Sequence, residues 1–333
     1  MSTHDRNHPG VQFKVARPPT LSLAHRSPRC GPASRRGRLL LGLALSSGIG
    51  LLAYSRRSLT KGGAAGAVVT GTTISGLGGW SWGLSLIYFF VSSTLLSHLR
   101  EKEKAQTAAD KFSKGSRRDL AQVAANGGVA SLCAALNGTV RSKTAQDALC
   151  AAFTGALATA TADTWATELG VLGSRRPRLI TSGRPVAPGT SGGITPLGSA
   201  ASALGALSLG LIFWATRGSR GSLARLPLIS LLSGLAGSVC DSLLGATVQA
   251  MYVCPLCQRE TERTVHSCGT RTRYLRGISW CNNDVVNLFA TCAGSLTALV
   301  LHMYARFLPH RKKHRAPQNW RADLFPALEE MYE

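Results

Sequence analysis

Residues Ala151 to Gly170 read AAFTGALATATADTWATELG, and Leu226 to Met251 read LPLISLLSGLAGSVCDSLLGATVQAM. Both runs are small and apolar and have the length of a membrane helix. The first carries Asp163 and Glu168, the second carries Asp241, and neither contains a Lys or Arg to pair with them. A carboxylate at bilayer depth costs about 2.5–3.5 kcal/mol on insertion scales, so it is kept where it faces a bundle interior or a polar cavity and binds something. The same two segments therefore speak for the fold and for a candidate site.

Outward from them, Gly62–Leu99, Leu120–Val140, Pro185–Thr216, Leu226–Cys240 and Val285–Ala305 contain no Asp, Glu, Lys or Arg. A spanning helix needs about 20 mostly apolar residues. Apolar residues cover all faces of these runs instead of one stripe, which argues against buried helices of a soluble protein. Small residues dominate, as in GAAGAVVTG at Gly63–Gly71 and ASALGALSLG at Ala201–Gly210, and such spacing lets membrane helices approach closely. The expected fold is all-α, a polytopic integral membrane bundle of about six to eight transmembrane helices, with a small Cys/His insert. The bundle occupies residues 39–306 and the insert 252–284. Leu39–Tyr54 is a shorter candidate span, and Gly62–Leu99 reads either as one broken helix or as a tight hairpin turning near Gly78–Gly79.

The formal net charge is +22. The cations flank apolar segments and no nucleic-acid motif accompanies them, so the partners they suit are anionic lipid or phosphorylated ligands at the membrane surface, not nucleic acid. Met1–Arg38, rich in Arg, Ser and Pro with one acid, Asp5, reads either as an organellar transit peptide or as a basic disordered tail. Residues 307–333 read as a soluble C-terminal tail containing the basic run Arg311–Arg315.

If Leu120–Val140 pairs with Ala151–Gly170 and Pro196–Ala215 with Leu226–Met251 as hairpins, the loops Arg100–Arg118, Gly173–Arg184 and Cys254–Asn283 share one face. The positive-inside rule would put that face in the cytosol or its organellar equivalent, yet Arg217, Arg220, Arg225 and the basic tail then fall opposite, so charge orients the chain weakly. The shared face gathers candidate chemistry. Lys111, Lys114, Arg117 and Arg118 stand just before a helix whose amides also favour anions, although such a loop also serves as a solvated anchor. Gln122 and Asn126 open an apolar helix, where they suit either a ligand or interhelical bonding. Asp163 and Thr167 lie one turn apart, while Glu168 is about 140° round from Asp163, so one acid can hold a metal while the other locks the bundle. Gly189-Thr190-Ser-Gly192-Gly193-Ile-Thr195 offers backbone amides to an oxyanion or makes a tight turn. Asp241, Gly245 and Gln249 fall on one helical face, and Asn283 and Asn287 sit one turn apart at a helix start, where Asn or Asp also caps free amides.

Cys254-Pro-Leu-Cys257 followed by His266-Ser-Cys268 is a grouping that suits tetrahedral zinc; a reducible disulfide and thioredoxin-like chemistry remain alternatives, the latter without a βαβ context. Four protein ligands leave no open position, so such a zinc would be structural. Together the oxygen ligands and the phosphate-binding groups suit a magnesium-assisted phosphate reaction. The chain has no GxxxxGK[ST] segment, no protein-kinase signature set and no GxSxG elbow, so nucleotide chemistry would need another architecture.

The ordered series Gln122-Val-x-x-Asn126-Gly, Ala162-Asp163-Thr-Trp-Ala-Thr-Glu168-x-Gly, Gly189-Thr-x-Gly-Gly-x-Thr195, Gly237-Ser-x-x-Asp241-Ser-x-Leu-Gly-Ala-Thr-x-Gln249 and Asn282-Asn283-x-Val-x-Asn287 resembles the transmembrane protein nineteen family, which includes the phytyl-phosphate kinase of plants. The likeness runs from Lys61 to Ala305 and leaves both tails aside. It implies an integral membrane enzyme that moves phosphate from a nucleoside triphosphate of the CTP type to a prenyl monophosphate. The plant enzyme makes phytyl diphosphate for tocopherol synthesis, so the compartments it suggests are the chloroplast envelope or the endoplasmic reticulum membrane. The cysteine insert looks like that of prokaryotic relatives. On this reading Asp163, Glu168 and Asp241 bind Mg²⁺, Asn126, Asn283 and Asn287 assist, and Lys111, Lys114, Arg117, Arg118 and the loop at Gly189–Thr195 take the phosphates. A membrane transporter of an anion or lipid phosphate, with the acids coupled to cations, is the alternative from another class, and a non-catalytic scaffold a third.

Overall fold

The computed structural model describes residues 35–107, 117–218 and 223–307; Lys111, Lys114, Arg220 and the two tails lie outside them. The helices are α1 (Arg35–Ser55), α2 (Lys61–Thr73), α3 (Trp80–His98), a short α4 (Glu101–Thr107), α5 (Leu120–Asn137), α6 (Lys143–Gly170), α7 (Pro196–Arg217), α8 (Leu226–Thr247) and α9 (Asn283–Phe307). By length and composition α1, α7, α8 and α9 are able to cross a membrane. The Leu39–Tyr54 candidate is thus a full helix that begins at Arg35.

Helix boundaries follow local chemistry. The Thr60 hydroxyl accepts from the Gly63 amide (3.0 Å) to cap α2, and Thr195 does the same for α7 through Gly198 (3.0 Å). Asp119 and Gln122 form a reciprocal capping box on α5, with Gln122 N donating to Asp119 Oδ1 (2.9 Å) and Asp119 N to Gln122 Oε1 (3.2 Å). Gln122 is therefore a cap and not a residue of the helix interior. Between α2 and α3 a π-helical turn, Ile74–Gly78, leads to Gly79 at φ 100°, a left-handed conformation that glycine adopts without strain. The chain reverses there: Ser58 Oγ, before α2, meets His98 Nε2 at the end of α3 (3.4 Å). Gly62–Leu99 is a hairpin.

The central element is α6, about 42 Å long at 1.5 Å per residue and buried at every position from Cys150 to Ala162. Around it pack α3, α5, α7, α8 and α9. Phe153 on α6 stacks on Trp82 of α3 (centroids 4.2 Å) and lies 5.5 Å from Phe213 of α7. Elsewhere the contacts are made by small residues. A Cβ placed on Gly237 of α8 would stand 2.2 Å from Thr159 Oγ1, and one on Gly294 of α9 would stand 1.9 Å from the same atom, so three helices converge on Thr159 only because both partners are glycine. The large apolar side chains point the other way: Leu40 and Leu51 on α1, Leu204 on α7, Leu228 on α8 and Leu296 on α9 are exposed on the outer surface. That surface meets lipid, so the interior needs close contact and not bulk.

Close contacts set helix directions. Gly170 beside Gly198 and Trp165 beside Gly205 make α6 and α7 antiparallel; Gly210 beside Ser230 and Ala206 beside Gly234 do so for α7 and α8; Gly155 beside Ala298, with Arg306 Nη2 donating to Thr144 Oγ1 (3.3 Å), does so for α6 and α9. The expected hairpin of α7 and α8 forms, and α5 packs on α6, its expected partner. One end of the bundle therefore collects the ends of α3, α6 and α8, the starts of α5, α7 and α9, the loop 171–195 and the Cys/His insert. At the opposite end cations are spent on local contacts, for instance Arg225 Nη1 donating to the Ala305 carbonyl near the end of α9 (3.1 Å). This explains why charge orients the chain poorly.

The bundle is all-α as expected, and its loops add short strands that the sequence reading lacks. β1 (Arg178–Leu179) pairs antiparallel with β2 (Gly193–Ile194), folding the loop between α6 and α7 back on itself. In the insert β3 (Met251–Val253) pairs with β4 (Glu260–Thr261) and β5 (Arg273–Arg276), in the order β4-β3-β5.

Candidate functional site

Helices α6 and α8 run in the same direction and touch where Thr159 meets Gly237. Asp163 is one turn beyond Thr159, and Asp241 one turn beyond Gly237. Counted from the helix ends at Gly170 and Thr247, the acids lie about 10 Å and about 9 Å deep. Equal depth on adjoining parallel helices brings both to one cavity of about 150 Å³. Its other walls are Thr167 of α6, Ser199 and Ser202 of α7, Ser238 and Ser242 of α8, and the loop from Gly189 through Thr195. Asp163 and Asp241 stand 78 residues apart in the chain. The fold joins them with the glycine loop, and of the expected site residues these are the ones brought together.

The loop is held by specific contacts. Gly192 has φ 80°, and a Cβ there would meet Ala246 Cβ at 2.6 Å and the Ser242 carbonyl at 2.7 Å, so its backbone lies directly on the last turns of α8. The Ser191 hydroxyl donates to the Oε1 of fully buried Gln249 (2.6 Å). Gln249 follows the end of α8 and does not continue the helical face of Asp241 and Gly245; its role is to seat the loop, while Gly245 leaves room for Ser191. Thr195 caps α7 and approaches the Gly170 carbonyl (3.4 Å).

Glu168 departs from the expected role. It is buried away from that cavity, where Lys104 Nζ donates to its Oε2 (2.5 Å) and Ser97 Oγ to its Oε1 (2.6 Å). Lys104, 1 % exposed, also donates to the carbonyls of Leu96 (2.6 Å) and Ser97 (3.1 Å) at the end of α3. The 140° separation on α6 sends Glu168 toward α3 and α4, and it serves as the lock. Arg118 belongs to the same neighbourhood: its guanidinium lies 5.8 Å from the ring centroids of Phe89 and Phe90. Burial lowers its pKa from the ordinary arginine value, and the Glu168 carboxylate opposes that shift. Arg117 is exposed, and neither arginine lines the cavity.

Asn126 donates from Nδ2 to the Gln122 carbonyl of its own helix (2.9 Å). Asn283 and Asn287 lie in the first turns of α9, whose cap is Asn282: its Oδ1 accepts from the amides of Asp284 (3.0 Å) and Val285 (3.1 Å). Thr291, one turn beyond Asn287, donates to the Ala125 carbonyl (3.1 Å), so these asparagines occupy the α5–α9 corner of the same end and not the wall of the acidic cavity. The serines at 199, 202, 238 and 242, which line the cavity, are not among the residues singled out from the sequence. Their i, i+3 and i, i+4 spacing on two adjacent hairpin helices is the signal that marks them as a polar wall.

Cys254, Cys257, His266 and Cys268 converge, with ligand atoms all within 4.8 Å of one another. Atoms bound tetrahedrally at about 2.3 Å stand roughly 3.8 Å apart, and Cys254 Sγ and Cys268 Sγ are separated by 3.6 Å. The donor set and its spacing fit zinc with no position left open. Hydrogen bonding with the Thr270 hydroxyl and the His266 ring holds the Cys268 thiol down to about 6. The insert is tied to the cavity from behind: Arg276 Nη1 on β5 donates to the Ala246 carbonyl (2.9 Å), and Ile278 N to the Val248 carbonyl (2.8 Å), both at the end of α8.

A family model described as "Integral membrane protein DUF92" matches residues 44–295. "Protein PGR" of Arabidopsis thaliana is 32 % identical over 286 residues, covering 80 % of this chain and 97 % of its own. An uncharacterized membrane protein of Methanocaldococcus jannaschii is 28 % identical over 266 residues, covering 80 % and 94 %. No solved structure matches the chain. The match to the family over most of the bundle agrees with the helical membrane architecture and with the transmembrane protein nineteen resemblance: the chain belongs to the integral membrane DUF92 family.

Proposed function

We propose that this protein is an integral membrane kinase that transfers the terminal phosphate of a nucleoside triphosphate of the CTP type to a prenyl monophosphate such as phytyl phosphate, giving a prenyl diphosphate. The observation that carries the reading is the convergence of Asp163, Asp241 and the Gly189–Thr195 loop on one cavity at the bundle end. Two carboxylates with amides and hydroxyls opposite them are a donor set for a hard divalent cation and for phosphate oxygens.

Asp163 and Asp241 would hold Mg²⁺, which when bound supplies charge neutralisation for phosphoryl transfer. The loop amides and Ser202 would position phosphate oxygens. An oxygen of the acceptor monophosphate attacks the terminal phosphorus, the new P–O bond forms as the bond to the nucleoside diphosphate breaks, and the diphosphate departs with the bridging oxygen. No nucleophile from the protein is required. Arg117, exposed at the site end, would add positive charge for the triphosphate, as would Lys111 and Lys114, which lie outside the described residues. Arg118 and Glu168 are instead assigned to holding α3, α4 and α6 together. Cys254, Cys257, His266 and Cys268 would hold a structural zinc that braces the end of α8 through β5.

The test is to incubate purified full-length protein with phytyl or geranylgeranyl monophosphate, Mg²⁺ and each nucleoside triphosphate in turn. Prenyl diphosphate and nucleoside diphosphate are expected in equal amounts. Absence of product with every pair, together with phosphate flux in liposomes, would replace the kinase by the transporter.

A further inference from the structure

We propose that the acidic cavity receives the phosphate head of a single-chain lipid sideways, through a portal between α7 and α8, and that the chain stays outside in the bilayer, leaving the protein without a ruler for chain length. This rests on the phosphate-lipid reading above and adds the route and the specificity.

The two helices touch at Gly210–Ser230 and Ala206–Gly234, where added Cβ atoms would collide at 2.4 and 2.5 Å. Beyond that crossing, toward the site end, Ser199 and Ser202 on one side and Leu235, Ser238, Val239 and Ser242 on the other enclose the cavity instead of meeting. Its rim reaches the outer surface on both helices, at exposed Ser199 and at Val239, 48 % exposed. Val239 falls on the outward stripe of α8 with Leu228, Leu232 and Leu243, spaced at whole turns. It lies eight residues before Thr247, about 12 Å below the helix end, a depth that belongs to the roughly 30 Å hydrocarbon layer. The mouth between α7 and α8 therefore opens onto lipid.

Size decides what passes. A cavity of about 150 Å³ is of the size that holds one benzene molecule. A phosphate group fits beside the two acids, and a geranylgeranyl chain does not. Ser202, 2 % exposed, has a hydroxyl with no hydrogen-bond partner and lines this cavity, whereas buried hydroxyls are normally paired. An oxygen of the incoming head group completes it.

The experiment uses full-length protein in phosphatidylcholine nanodiscs with geranyl, farnesyl and geranylgeranyl monophosphates, each carrying a diazirine on its terminal unit. Photolabel is expected on the outward faces of α7 and α8 near Leu204 and Val239, displaced by unlabelled prenyl phosphate and not by the prenyl alcohol. Val239→Trp should cut labelling about 10-fold, while Leu232→Trp, on the same lipid-facing stripe but off the cavity, should leave it unchanged. At equal mole fraction in lipid, the three probes should bind within about 10-fold of one another. Label in the groove of Leu45, Ile49, Trp80, Leu84 and Phe90 among α1–α3, indifference to Val239→Trp, or affinity climbing steeply with chain length would overturn the portal. Labelling needs no turnover: label at α7–α8 without product keeps the portal and removes the kinase, and product with label elsewhere does the reverse.

Discussion

Lys104→Met leaves Glu168 as a buried carboxylate that has lost the Lys104 ammonium, and Glu168→Gln removes the carboxylate to which Lys104, at 1 % exposure, donates. Both partners are buried, so solvent screening offers little relief, and breaking such a pair from one side costs about 3–5 kcal/mol. At ~2–4 °C per kcal/mol each single variant should unfold on the order of 10 °C lower in detergent. Replacing the pair by uncharged groups removes both desolvation penalties, so the double variant Lys104→Met/Glu168→Leu should recover most of the loss, giving a strongly non-additive cycle. The assay is a four-member thermal unfolding series, with Mg²⁺-dependent turnover measured below the lowest midpoint. Glu168→Gln should retain turnover there. Additive losses would refute the pairing argument. A Glu168→Gln protein with a wild-type midpoint and no turnover would return this acid to the chemistry.

Asp163→Asn and Asp241→Asn should insert and fold yet lose turnover by at least about 10²-fold, the scale of removing one preorganised charge-stabilising group; full activity in either, measured by diphosphate formation, would make that acid packing glue. Mg²⁺ at 100 times its Kd should stabilise the wild-type protein by about 2.7 kcal/mol, read as a midpoint shift that both Asn variants abolish. Ser202→Ala removes an unpaired buried hydroxyl, so its midpoint should hold or rise slightly while affinity for prenyl phosphate falls; a midpoint loss with unchanged affinity counts against a ligand contact. Gly192→Ala forces a Cβ onto Ala246 at 2.6 Å in a left-handed conformation, and should lower turnover by displacing the loop; an unaffected rate excludes the loop from the site. Cys254→Ala should purify without zinc by elemental analysis and, folded, keep Mg²⁺-dependent turnover.

Much of the helical architecture can be read from charge-free intervals, because a helix in lipid must satisfy its backbone internally and stay apolar over its length. The reading places α1 too far inward, since Arg35, Arg36 and Arg38 can sit on a helix at the membrane surface. It misses β3, β4 and β5, where strands of two to four residues carry no period to detect. At the site, the unpaired acids in apolar runs are visible in one dimension, but their convergence depends on α6 and α8 being parallel and meeting at Thr159 and Gly237. The partner of Glu168 lies 64 residues away in the sequence, beyond any spacing rule. The Asp119–Gln122 capping box stands in the sequence as D-x-x-Q before an apolar run, a local signal that the reading of Gln122 as a ligand or interhelical bonding residue misses.

The packing of this bundle also explains why its acids can sit where they do. In a soluble helix bundle bulky side chains fill the core, and a pair of carboxylates would displace them. Here the bulky interior side chains gather at Trp82, Phe153 and Phe213, and where Gly237 and Gly294 meet Thr159 the helices α6, α8 and α9 approach to glycine distance, with no large side chain between them to displace. One turn past that pinch lies the cavity, walled by serines, the glycine loop and the two acids. The cavity is thus a consequence of the crossing. It follows that sensitivity to substitution should run opposite to the soluble case: Gly237→Val or Gly294→Val, neither of which lines the cavity, should disable the site more than Leu232→Ala or Leu296→Ala on the outer face, because the former move the helices that carry Asp163 and Asp241 and the latter only change what lipid touches.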